Sequence, residues 1–279
     1  MKNWFNIIFV AVAAAGGYLL AVKNLSEGAQ LNFAQTLADA TYVDLSHVLH
    51  EGIPNGPGPE PSKITALLSH VPGEGMMNGS GSISHYSFPG QWGTHVDPPI
   101  HFIGGGRTLE DIELSEMVLP LVVIDIHYKV ATNPDYQVSM DDIQLWEQAY
   151  GEIPAKSFVA LRTDWSKRWP DIDKIRNWDQ DGKSHSPGWS MEVLDFLANS
   201  RNITAIGHET MDTDTGSLAA IGEYPLETFF LGTNKYQIEN MKSLDQVPEK
   251  GAFIVATWAV PKKGDGFPAR VFAIIPKTK

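Results

Sequence analysis

Five runs of apolar, largely β-branched residues constrain the fold more than any other feature. They are LVVIDI (Leu121 to Ile126), SFVAL (Ser157 to Leu161), ITAI (Ile203 to Ile206), AFIVAT (Ala252 to Thr257) and RVFAII (Arg270 to Ile275). Runs this short and this apolar read as buried strands rather than helices. Between them lie signals for two short helices. One starts near Ser139, where Ser-Met-Asp-Asp reads as an N-cap with an acidic first turn; the other starts near Ser190, with Met191, Leu194 and Leu197 on one face. The expectation is a single mixed α/β domain over residues 29–279, sheet-rich with a few helices. The stretches Gly52 to Pro61 and Gly73 to Ser82 are rich in Gly, Pro and small polar residues, and read as turns within that domain rather than as linkers.

Ahead of the domain, Trp4 to Val22 carries no charge and is bracketed by Lys2 and Lys23. Residues 1–28 therefore read as an export signal or a membrane anchor, a choice the length of the run leaves open. The expected location is periplasmic or extracellular, or membrane-anchored through this segment alone. Composition removes other classes. A 43% hydrophobic content suits a packed core rather than disorder, and a formal charge of -12 opposes a phosphate backbone, so nucleic acid is not an expected partner. With no cysteine in the chain, thiolate catalysis and thiolate metal ligation are excluded, and any metal must take nitrogen and oxygen ligands.

The densest group of potential ligands is GQWGTHVDPPIHF, Gly90 to Phe102. In an extended segment, residues two apart point to the same side, so His95 and Asp97 would share a cation, with Gln91 on the same parity. Gly93 permits close backbone approach, and Pro98-Pro99 forces a turn that swings His101 back over the pair, which makes His101 a candidate acid/base.

This cluster resembles the His-x-Gly-Thr-His-x-Asp-x-Pro-x-His-Phe signature of the metal-dependent cyclase family, which includes bacterial kynurenine formamidases and isatin hydrolases. Further segments follow in that family's order: YVDLSH at Tyr42 to His47, GGRTLEDI at Gly105 to Ile112, LRTDWS at Leu161 to Ser166, IEN at Ile238 to Asn240 and GFPARVFA at Gly266 to Ala273. Two positions depart from the pattern. Gln91 stands where the family has its first motif histidine, and Glu227 stands twelve residues before Glu239, where the family has another. The resemblance implies a ligand set of Gln91, His95, Asp97, Glu227 and Glu239 around one or two divalent ions. Such an oxygen-rich set favours manganese or magnesium over zinc.

The resemblance also implies hydrolysis of an amide C–N bond by metal-activated water, with His101 shuttling the proton and Thr94 orienting the ligands from behind. An N-formyl aryl amide, as in arylformamidases, is the first expected substrate. The alternatives are an isatin-like cyclic amide, a lactone or ester, or no catalysis at all in a binding protein that has lost metal ligands. His208 is a candidate replacement for a lost imidazole, Glu209 beside it is a second candidate for metal or substrate, and His85 and Trp92 are candidate substrate contacts. Arg162 and Arg270 read as partners of internal acids. A homo-oligomer is the family expectation.

Overall fold

In the computed structural model, which describes residues 33–54, 62–68 and 82–277, the apolar runs become strands of one sheet. Its strands are β1 (Thr41–Asp44), β4 (His95–Asp97), β5 (Val118–Asp125), β6 (Phe158–Arg162), β7 (Ala205–His208), β8 (Tyr236–Glu239), β9 (Ala252–Trp258) and β10 (Phe267–Ile275), in the order β1-β10-β4-β8-β7-β6-β5-β9. A further pairing between β9 and β10 closes the sheet into a barrel-like wall. The remaining strands, β2 (Lys63–Leu68) and β3 (Ile83–Ser87), form a separate antiparallel pair. The chain divides into two compact units, one of which is Tyr42–Ile275. Within the other unit, residues 33–39 form helix α1, on which Gln35 donates to Asp39 at 2.7 Å. The expected export or anchor segment and most of the two turn-rich stretches lie outside the described residues. Among the described residues, no helix is long and apolar enough to cross a membrane.

The two ends of the sheet explain the two kinds of apolar pattern. β5, β6, β7 and β8 run parallel, and the outer faces of β5 to β7 are covered by helices, so consecutive residues are buried. Leu121 and Val123 face one core with Phe158, Ala160 and Ala205, while Val122 and Ile124 face the other with Val159, Leu161 and Ile206. By contrast, β9 alternates: Ala252, Ile254 and Ala256 are buried, and Phe253 and Thr257 are exposed. β10 begins three residues before the expected run because Phe267 and Pro268 pair with β4, which their own apolar pattern does not announce.

The helices are α2 (His127–Val130), α3 (Met140–Tyr150), α4 (Ile172–Arg176), α5 (Met191–Asp195), α6 (Gly216–Ala219) and α7 (Pro225–Gly232). Both expected starts are present. The Ser139 side chain accepts from the Asp142 amide in a capping box, and Ser190 accepts from the Val193 amide. The chain nevertheless has more helices than the two expected. Of the additional ones, α4 and α7 each bring a charged side chain to the site.

Candidate metal centre

β4 and β8 pair antiparallel, with His95 opposite Glu239 and Asp97 opposite Gln237. Period-two alternation sends Val96, Tyr236 and Ile238 into the hydrophobic core and leaves His95, Asp97, Gln237 and Glu239 as a two-by-two grid on the other face. All four polar side chains are buried. Burying such groups is costly unless each finds a partner, so their mutual geometry is informative.

His95 Nδ1 lies 2.9 Å from the Gly93 carbonyl, to which it donates, and its Nε2 points into the grid. That Nε2 is 3.2 Å from Asp97 Oδ2 and 3.5 Å from Glu239 Oε2, yet makes no aligned hydrogen bond with either. Burial opposes charge on His95, but Asp97 and Glu239 outweigh it and hold the imidazole pKa well above its usual value. Burial also acts against charge on Asp97, and His95, His101 and Gln91 reverse it, bringing that carboxyl down to about 2. Thr94 supports the backbone between the strands. Its hydroxyl donates to the Asn240 carbonyl at 2.6 Å and accepts from the His47 amide at 2.9 Å.

Gln237 was missed by sequence reasoning, although it shares the parity of Glu239 two positions on. Its Oε1 accepts from Thr213, which aims the amide nitrogen into the grid. There Nε2 donates to Glu227 at 2.8 Å, Glu239 at 3.0 Å and Asp97 at 3.4 Å. Its two N–H groups serve Glu227 and Glu239, with Asp97 at the edge of reach.

His101 ends the 3-10 turn Pro99–His101, so the Pro98-Pro99 pair does fold it back. Its Nε2 stands 3.9 Å from Asp97 and 4.0 Å from Glu227, with the side chain 26% exposed to the cleft. Glu227 comes from the first turn of α7. The Asp214 carboxylate caps that helix by accepting from the Leu226 and Glu227 amides, both at 3.0 Å. Burial, and then the charges of Glu239, Asp97, Asp212 and Asp214, push the Glu227 carboxyl well above the usual range.

Other expected site residues are placed differently. Gln91 does not arrive by strand parity, because Gly93 breaks the extended backbone with a φ of +64°. Its side chain reaches the site nonetheless, with the amide nitrogen 3.3 Å from Asp97 Oδ1 and 3.4 Å from His101 Nδ1. In this geometry the Gln91 amide donates to Asp97. Gly266 makes the room, since a Cβ there would stand 2.1 Å from that nitrogen. His208 accepts the Trp189 indole N–H at Nδ1, so its proton sits on Nε2, which lies 3.3 Å from Glu239 Oε1. That nitrogen makes no aligned hydrogen bond with Glu239, and a ring protonated there does not offer it as a ligand. Glu209 points away, its carboxylate taken by the Thr163 and Asp164 amides and the Ser166 hydroxyl. His85 is exposed on β3, Trp92 is fully buried against Phe88, and neither lines the cleft over the grid. Arg162 pairs with Asp125 and Asp164, and Arg270 with Asp44, as structural partners.

A cleft of about 300 Å³ opens onto this group. Phe102 and Tyr224 form an aromatic wall with ring centroids 5.6 Å apart, and His101 meets Phe102 edge-on. Arg176 and Asp212 line the same cleft; neither was singled out in the sequence, where Arg176 sits in a polar stretch with no periodic signal. Burial, then the charge of Glu239, pushes Asp212 up to about 6.

The residues fit a divalent cation. A buried imidazole whose outer nitrogen is pinned to a carbonyl, and whose inner nitrogen lacks an aligned partner beside two carboxylates, has the orientation of a metal ligand. His95, Asp97 and Glu239 offer donor atoms all within 4.8 Å of one another. Three protein ligands leave positions for water and substrate.

Known proteins resemble this chain in sequence and fold. The model of the Cyclase family, described as "Putative cyclase", matches residues 43–215. An isatin hydrolase of Roseibium aggregatum is 33% identical over 191 residues, covering 66% of this chain and 72% of that protein. The solved isatin hydrolase A from Ralstonia solanacearum superposes with a TM-score of 0.78 at 35% identity, over 88% of this chain and 97% of that one. A kynurenine formamidase of Bacillus cytotoxicus is 25% identical over 134 residues, 47% of this chain and 56% of that enzyme.

Proposed function

Because the chain belongs to the Cyclase family, we propose that it is a metal-dependent hydrolase that opens a cyclic aryl amide of the isatin type. The observation that carries this reading is the buried convergence of His95 Nε2, Asp97 and Glu239 beneath an aromatic-walled cleft. The cyclic substrate is supported by the likeness to isatin hydrolases, which runs along most of the chain. The N-formyl aryl amide is the second reading, favoured by the shorter likeness to a formamidase. In both, the bond broken joins a carbonyl carbon to an aryl nitrogen.

A divalent cation held by His95, Asp97 and Glu239 would polarise the amide carbonyl and lower the pKa of a coordinated water. One nitrogen and several carboxylate oxygens suit manganese or magnesium better than zinc. The Gln237 amide, lodged among Asp97, Glu227 and Glu239, supports a single ion, because a second one would have to displace it. His101, at the cleft mouth, takes the proton from the attacking water and returns it to the departing nitrogen. Water oxygen bonds to the carbonyl carbon, the C–N bond breaks, and the products are a carboxylate and an aniline. Gln91 holds Asp97 in place from the side, and Phe102 and Tyr224 flank the substrate ring and thin out competing water.

The test is turnover by the full purified chain after reconstitution with manganese, magnesium or zinc, with isatin and N-formylaniline as parallel substrates. Isatin opening faster by about tenfold or more is the expected result. Preference for N-formylaniline selects the second reading, and no turnover of either by protein with stoichiometric metal contradicts the hydrolase assignment.

A further inference from the structure

The cleft contains a cation that the hydrolytic chemistry leaves unused. Arg176 ends α4 and lies beside the left-handed Asn177, at φ 49°. Its backbone carbonyl accepts from the Ser184 hydroxyl at 2.7 Å and the His185 amide at 3.0 Å. The His185 ring is in turn clamped between Asp135 at 2.6 Å and Asp179 at 3.1 Å. The segment that presents Arg176 is thus tied down on both sides, and its side chain, 27% exposed, lines the cleft together with His101, Phe102 and Tyr224.

Its pairing sets it apart from Arg107, Arg162 and Arg201, while Arg168 is stacked on the Trp165 ring. Arg107 holds both oxygens of Glu116 and also the Asn234 side chain, Arg162 bridges Asp125 and Asp164, and Arg201 grips both oxygens of Glu147. Those guanidinium groups are spent on structure. Arg176 meets Asp212 through one nitrogen only, at 3.2 Å. Among the described residues that line the cleft, it is the one Lys or Arg, and Asp212, Glu227 and Glu239 share the wall with it. An acid-lined cleft repels oxygen-rich ligands except where a planar cationic fork can receive them.

We propose that Arg176 is a specificity-determining residue that receives a second acceptor oxygen borne by the substrate outside the scissile amide, either a ketone next to the amide carbonyl or a carboxylate on the aryl ring. This rests on the hydrolase reading and narrows its substrate class to aryl amides with such a second acceptor. Simple aryl amides lack the group that the fork recognises.

The experiment compares wild type, Arg176→Gln and Arg176→Lys as full metal-loaded chains. Isatin carries the adjacent ketone, N-formylanthranilate the ring carboxylate, and 2-oxindole and N-formylaniline carry neither. In Arg176→Gln, kcat/KM for isatin or N-formylanthranilate should fall about 10- to 100-fold, mostly through KM, with less than about a twofold change for 2-oxindole or N-formylaniline. Arg176→Lys keeps the charge without the fork and should recover part of the loss. Equal losses for substrates with and without the second acceptor would overturn the proposal. Binding of phenylglyoxylate, followed by calorimetry, decides the matter without turnover. Wild type should bind it about tenfold or more tightly than Arg176→Gln does, and equal binding or no binding by wild type would overturn the assignment. Absence of turnover with this binding difference intact would instead count against the hydrolase reading alone.

Discussion

Two acidic clusters meet at Asp97, and they are built for different purposes. In the first, His95, Asp97 and Glu239 bring an imidazole nitrogen without an aligned partner against two carboxylates. In the second, His101 stands beside Asp97 and Glu227, and the Gln237 amide donates to Glu227 at 2.8 Å. The same amide donates to Glu239 at 3.0 Å and so links the two clusters. The carboxyl of Glu227 is pushed toward its neutral form by burial and the surrounding acids, and it accepts from the Gln237 amide.

The largest expected effect comes from breaking the first cluster. His95→Ala should abolish stoichiometric metal retention in elemental analysis and lower turnover about a thousandfold or more. His101→Ala separates the clusters: metal content stays at the wild-type value while kcat falls about 10²- to 10⁴-fold, a loss read from steady-state rates. Normal turnover in that variant would remove His101 from the proton path.

Gln237→Leu comes next. It leaves three buried carboxyl groups without their shared donor, and should cost the cation-free protein about 3 kcal/mol in a denaturant titration, with part of the loss recovered on adding metal. Glu227→Gln should be the mildest, with metal stoichiometry unchanged and stability within about 1 kcal/mol, because a group already near neutral is replaced by a neutral isostere. A complete loss of metal in Glu227→Gln would make the second cluster a coordination site after all.

The pH dependence sharpens the same contrast. In the cation-free protein, the raised His95 pKa means that its ion pair stabilises fully below the ordinary value of 6.5 and is lost as pH rises through the raised value. Asp97, held down to about 2, adds stability above its ordinary 3.8 that disappears as pH falls toward 2. Metal binding has the opposite sense at His95, since a cation must displace the Nε2 proton. Affinity should therefore rise with pH, by about tenfold per unit while His95 remains protonated in the free protein, and calorimetric titrations at successive pH values measure it.

Much of this was legible in the residues. The apolar runs at Leu121, Ser157 and Ala252 became β5, β6 and β9, Ser139 and Ser190 cap the two expected helices, and the Pro98-Pro99 turn carries His101 over Asp97. Period-two reasoning failed for Gln91, because a glycine with positive φ interrupts the strand between it and His95. It would have found Gln237 had it been applied outward from Glu239. The role of His208 depends on which ring nitrogen Trp189 contacts, 19 residues away in sequence, and no local pattern encodes that. Arg176 was hidden for a related reason, as a short helix and a turn of polar residues carry it to a cleft formed by distant strands.

Crystals of the full chain grown with manganese, measured for anomalous scattering at the metal edge, test the central claim most directly. One anomalous peak per chain is expected, at coordination distance from His95 Nε2 and from the carboxylates of Asp97 and Glu239, with the Gln237 amide still bonded to Glu227. No peak, or two peaks with Gln237 displaced from between the carboxylates, would contradict it.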